Sequence, residues 1–164
     1  MAETSPANGA ANGQASQAQL SLQKIYAKDV SFESPGSPHI FQQSGQPNIE
    51  INLSQRVANL AENAYEVVLN VTVTCKMEDK TAYLVEVAQA GVFGVAGFDD
   101  AGRDAILATY CPNVLFPYAR QLVSDMVQNG GFPPVFLQPI NFEALYAEQV
   151  RRREGGQQGQ TLNA

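Results

Sequence analysis

The chain has 164 residues, a formal net charge of −6 and no tryptophan. That length suits one domain with its own core, while the shortage of Lys and Arg excludes the clustered cations a nucleic-acid partner requires. Residues 24–150 hold 14 Asp and Glu against 7 Lys and Arg, a balance that favours a basic partner and steers its approach.

Residues 1–22 are mostly Ala, Asn, Gly, Gln and Ser. They offer too little apolar area to offset ordering entropy and read as disordered. They also lack the apolar core of a secretory signal. Residues 24–34 read as a first strand, with Val30 and Phe32 on one parity and Asp29, Ser31 and Glu33 on the other. Ser34-Pro35-Gly36-Ser37-Pro38 ends it, and a loop carries the single histidine, His39. Ile49, Ile51 and Leu53 alternate with Glu50, Asn52 and Ser54, which predicts a second strand.

A hairpin over residues 65–93 is the centre of the chain. Tyr65, Val67, Leu69, Val71, Val73, Cys75 and Met77 occupy every odd position of its first arm. Except for Val68, the even positions that alternate with them are mostly polar. Because a one-residue slip exchanges the two faces of a strand, the pattern fixes the register. A loop at residues 78–80 places Val73 opposite Val85 and Val71 opposite Val87. The other face then gathers Thr72, Thr74, Leu84 and Glu86. Gly91, Gly94 and Gly97 loosen the chain beyond the hairpin.

Asp99 or Asp100 caps a short helix reaching Ala108. Pro112 suits the first turn of a longer helix that stops before Gly130-Gly131. That helix has two apolar stripes, one through Leu115, Tyr118, Leu122 and Met126, another through Phe116, Val123 and Val127. One stripe covers the sheet; the second needs an oligomer partner or the last helix. Phe132-Pro133-Pro134 opens an extended connection, and Asn141 caps the last helix. Strands first and helices after define an α+β class.

No constellation of catalytic residues stands out. Cys111 with His39 is the only nucleophile–base pair available, and nothing in the spacing supports it. Two cysteines and one histidine make neither a disulfide framework nor a metal site, so no cofactor is expected. The glycine stretch from Gly91 lacks the ending of a nucleotide loop and runs into two acids. No apolar run is long enough for a membrane helix, and cysteine usage fits a reducing, cytoplasmic setting. Surface remains. Phe41, Tyr65, Tyr83, Phe93, Phe98, Phe116 and Tyr118 gather near the sheet edge, the glycines and the long helix. Most suit an ordinary core; the functional alternative is a groove for apolar peptide segments.

Several motifs in order resemble the SecB family of bacterial protein-export chaperones. They are Ile25-Tyr26-Ala27-Lys28-Asp29-Val30-Ser31-Phe32-Glu33, Pro38-His39-Ile40-Phe41, Tyr65-Glu66-Val67-Val68-Leu69, Val71-Thr72-Val73-Thr74, the run from Tyr110 through Cys111-Pro112-Asn113 to Arg120, and Pro139-Ile140-Asn141-Phe142. The resemblance covers residues 24–150. Family members often carry a Trp where Gly45 stands, and an acidic tail where this chain has Arg151-Arg152-Arg153 and a Gln/Gly run.

The resemblance implies a four-stranded antiparallel sheet with helices packed on one face, assembled as a homotetramer, a dimer of dimers. It implies a SecB-like chaperone domain over residues 23–153 between disordered segments 1–22 and 154–164. It also implies a non-enzymatic, ATP-independent chaperone that binds unfolded preproteins and delivers them to SecA. SecA-binding positions would be Asp29, Glu33, Leu84 and Glu86. Preprotein binding or assembly would fall to Phe41, Tyr83, Val85, Val87, Gln89 and Phe93. The oligomer interface would use Leu115, Phe116, Tyr118, Leu122, Val123 and Met126. No stable membrane insertion is implied. Other readings are a SecB-like chaperone for different clients, such as an antitoxin, or a small-ligand α+β module built on Cys111 and His39.

Overall fold

The computed structural model describes residues 17–158. The alternating arms form β3 (Ala64–Met77) and β4 (Lys80–Ala96). Val73 faces Val85 and Val71 faces Val87, as the alternation predicts. The turn is shorter than expected: Met77 pairs with Lys80 around Glu78 and Asp79. A register shift after Cys75 restores the parity, and Glu78 takes the left-handed backbone the tight turn needs, at φ 53°. The shift also turns both Ala82 and Tyr83 inward.

β1 (Gln19–Glu33) pairs with β4, and β2 (Pro47–Ala61) pairs with β3. The result is a four-stranded antiparallel sheet in the order β1-β4-β3-β2. Three sheet boundaries differ from the sequence reading, the first being that β2 runs on past Ser54 to Ala61. Residues 19–22 are strand rather than disordered, because they pair with residues 93–96. Those residues in turn are strand because Gly91 and Gly94 sit inside β4, while Gly97 follows its last residue with a left-handed backbone, φ 77°. A Cβ on Gly91 would stand 3.2 Å from the Lys24 carbonyl and 3.0 Å from Leu115 Cδ2, so close approach, not looseness, is the reason for that glycine. Residues 1–16 of the segment lie outside the described residues.

α1 (Asp100–Ala108) starts where Asp99 accepts a hydrogen bond from the Gly102 amide at 2.7 Å. α2 (Tyr110–Asn129) lies against β4 and β3. Its Leu115, Ala119, Val123 and Val127 are fully enclosed with Val67, Leu69, Val71, Val73 and Val85 of the sheet. Each of the Val and Leu side chains contributes about 1.5–3 kcal/mol relative to exposure. α3 (Phe142–Gln158) is capped by Asn141, which accepts from the Ala144 amide at 2.9 Å. It extends beyond the predicted boundary at residue 153; Gly155 and Gly156 lie within it with nothing packed against them. Among the described residues no helix is long and apolar enough to cross a membrane.

Candidate functional site

Four aromatic rings meet at one end of the sheet. Phe32 comes from the core side of β1 and Tyr83 from the start of β4. Phe132 follows α2, and Phe41 belongs to a short 3-10 helix, His39–Gln42. Ring centroids are 4.8 Å apart for Tyr83–Phe132, 5.1 Å for Phe41–Phe132 and 6.0 Å for Phe32–Tyr83, within the range of favourable aromatic pairs. A hollow of about 410 Å³ opens here, lined by Phe41, Ile49, Met77, Tyr83, Phe132 and Val135 among others. Burial drives the Tyr83 phenol pKa well up, reinforced by the adjacent Cys75 thiol. Of the seven aromatics that the sequence reading gathered around a groove, Phe41 and Tyr83 line this hollow, and Tyr65, Phe93, Phe98, Phe116 and Tyr118 do not. Phe132, Ile49 and Met77 were not singled out.

A second hollow, about 500 Å³, lies between β2 and the helices α1 and α3, with Leu53, Val57, Leu107, Phe142, Leu145 and Tyr146 in its walls. The Gln55 side chain donates to the Leu107 carbonyl at 2.7 Å and ties strand to helix. Both hollows border β2, one at Pro47 and Ile49 and the other from Leu53 to Val57. Ile49, Ile51 and Val57 keep the parity of the core but are 40%, 48% and 45% exposed, because α2 packs mainly on β4 and β3. An apolar run of this kind accommodates an extended chain.

The opposite side of the sheet is polar. Asp29, Glu33 and Glu86 are exposed there and Leu84 is half-buried. Glu33 pairs with Leu84, Ser31 with Glu86 and Asp29 with Ala88. The predicted set is therefore contiguous, and a hollow of about 200 Å³ has Asp29 and Glu86 in its rim. Beside it, Tyr26 lies opposite Ala90 of β4, which is itself opposite Val68 of β3. The small Ala90 lets the Tyr26 hydroxyl donate to Glu66 on β3. This arrangement accounts for the burial of Val68, the one apolar break in the polar parity, at 3% exposed.

Lys28 Nζ completes the cluster, 2.8 Å from Glu66. Hydrogen bonds from Lys28 and then Tyr26 hold the Glu66 carboxyl below its usual range. The bond to Glu66, with burial, raises the Tyr26 phenol from 10.0 to about 12. The signs differ. The Glu66 contribution is present above the ordinary carboxylate pKa and is lost as pH falls through the depressed value. The Tyr26 contribution is present below pH 10.0 and is lost as pH rises through about 12. Thermal melts across pH are expected to show Glu66→Gln about 1 kcal/mol less stable than the parent near neutrality. That gap should close in acid; a gap that is constant with pH would refute the linkage.

Several expected site residues are placed elsewhere. Val85, Val87 and Phe93 are buried in the core, so they shape the sheet and do not line a groove. Gln89 is buried too and donates to the Tyr26 carbonyl at 3.0 Å, tying β4 to β1. Of the expected interface set, Leu115, Phe116 and Val123 are enclosed within the subunit, since the sheet and α3 already cover them; the Phe116 ring meets Phe142 at 6.1 Å. Tyr118 is 51% exposed, and Leu122 and Met126 are half-buried. Cys111 is wholly enclosed, and burial lifts its thiol to about 12. That is the reverse of an activated nucleophile, while His39 is exposed.

Comparison with known proteins identifies the family. The family model described as "Preprotein translocase subunit SecB" matches residues 13–153. A protein-export protein SecB of Xanthomonas oryzae pv. oryzae is 58% identical over 148 residues, 90% of this chain and 84% of that protein. The SecB of Stenotrophomonas maltophilia is 59% identical over 135 residues, 82% of this chain and 78% of its own length. That of Xylella fastidiosa is 60% identical over 134 residues, again 82% and 78%. Among solved structures, a SecB-like chaperone of Mycobacterium tuberculosis, in complex with a ChAD peptide from the HigA1 antitoxin, superposes with a TM-score of 0.62. It covers 74% of this chain and 90% of its own at 16% identity, a likeness of fold alone. With a family model spanning most of its length and relatives near 58% identity, the chain belongs to the SecB family.

Proposed function

We propose that the protein is an ATP-independent export chaperone of the cytoplasm. It holds unfolded preproteins in a translocation-competent state and passes them to SecA. The observation that carries this reading is the two-sided sheet of a SecB-family chain. One side has the aromatic hollow continued by exposed Ile49 and Ile51; the other has Asp29, Glu33 and Glu86 exposed. Each client side chain fully buried in the groove adds about 1.5–3 kcal/mol, and ordering of the client offsets much of that. A folded protein hides its apolar segments, so selection for unfolded chains needs no sequence code. A homotetramer, a dimer of dimers using the outer side of α2 around Tyr118, Leu122 and Met126, raises the effective concentration of grooves along one client.

The test has two arms. Native mass measurement should give four copies, binding one denatured precursor and preventing its precipitation. A single-copy protein that leaves the precursor to precipitate would end the reading. Asp29→Lys and Glu86→Lys should keep the tetramer and weaken SecA binding roughly tenfold or more, since like charges face each other across the contact. Parent binding should fall with added salt. Equal affinity of parent and variants would remove SecA from this face.

A further inference from the structure

The aromatic hollow has one polar atom out of keeping with its walls. Gln43 follows the 3-10 helix, and its side chain lines the hollow beside Phe41, Tyr83 and Phe132. The side-chain oxygen Oε1 is shut off from solvent and has no hydrogen-bond partner among the described residues. A buried amide oxygen without a donor is costly, and such atoms are rare in folded proteins. The surroundings do not supply the donor. Pro47, Pro133 and Pro134 form neighbouring walls and have no amide hydrogen. The Gln43 amide itself donates to the Ile40 carbonyl at 3.2 Å.

An extended segment entering this hollow brings both things it lacks. Its apolar side chains fill the aromatic walls, and its backbone amides lose water and need acceptors. We infer that Gln43 is a specificity-determining residue of the groove: its side chain turns as the segment enters, uncovering the oxygen that is closed to solvent in the free chain, and its carboxamide pairs with a backbone peptide group of the bound segment. A carboxamide has an acceptor end and a donor end, so it serves the N–H or the C=O of that group. Every sequence carries the peptide group, so the contact selects polypeptide without selecting sequence. It disfavours acyl chains and detergents, which are apolar but offer no amide hydrogen. A proline whose missing N–H falls at that point is disfavoured for the same reason.

The inference rests on the hollow being the seat of unfolded segments, and the experiment separates the two. Full-length parent and Gln43→Leu are titrated with a short dye-labelled peptide of alternating Phe and Leu. Analogues in which one backbone amide at a time is replaced by an ester are titrated alongside. The parent should bind one analogue about three- to tenfold more weakly than the all-amide peptide. Gln43→Leu should bind these two equally, and should melt no lower than the parent because it loses an unpaired buried oxygen. If the leucine protein melts early, Gln43→Ala supplies the same comparison. Ester effects that are identical in parent and variant overturn the Gln43 contact and leave the groove standing. A parent that binds no peptide overturns both.

Discussion

Phe93→Ala is expected to lower the free energy of unfolding by about 3–5 kcal/mol. The ring is completely enclosed. It lies on the core side of β4, opposite Leu22 of β1 and Tyr65 of β3. It also occupies the space that a side chain at position 91 would need: a Cβ there would stand 2.8 Å from Phe93 Cε2. Truncation therefore leaves a hole bounded by glycine on one side and the Leu115 side chain on the other, with little that can collapse into it. Denaturant titration at fixed protein concentration measures the effect, because assembly would couple to it. Affinity for an unfolded client, measured where the variant is still folded, should stay close to the parent value. An unchanged midpoint with client binding lost would return Phe93 to the groove.

Gly130→Ala should cost about 1–3 kcal/mol by overpacking and should also blunt client binding. Gly130 caps α2 with an ordinary right-handed backbone, φ −74° and ψ −2°, so its conformation does not demand glycine. The Phe32 ring does: an added Cβ would fall 2.0 Å from Cζ and within 2.7 Å of both Cε atoms. Phe32 cannot yield without disturbing Tyr83 and Phe132, which it meets at 6.0 and 6.4 Å. The packing penalty is thus transmitted to the aromatic hollow. Thermal melting and peptide titration on one preparation check both parts; a variant matching the parent in both would show that the ring moves freely.

The hairpin was legible because strict alternation admits one register, and an error of one residue would put seven apolar side chains into water. The helix starts were legible because Asp99 and Asn141 are strong caps. The misread ends of β1 and β4 share one cause. Gly91 and Gly94 read as breakers, so β4 was ended early; without its last residues, Gln19 to Leu22 had no visible partner and read as disordered. Propensity was overridden by tertiary packing, as is common in strands. The site was half legible. Parity located Asp29, Glu33, Leu84 and Glu86 on one face, but parity does not say which copy of the chain covers an apolar stripe. Leu115, Phe116 and Val123 were for that reason given to a partner. Phe132 and Gln43 lie outside any period, and only the folded chain brings them together.

The uneven cover on the sheet has an energetic consequence. Nearly every residue of Pro47–Ala61 is exposed, only Leu53 and Gln55 being half-buried, so the strand is held by its backbone ladder with β3 and by few side chains. Its free energy of opening lies well below that of β3 and β4, whose ladders are sealed beneath α2. In a lone subunit this margin behaves as a soft flap hinged on a hard plate. Its amide protons exchange with solvent through local lifting, long before the plate itself melts.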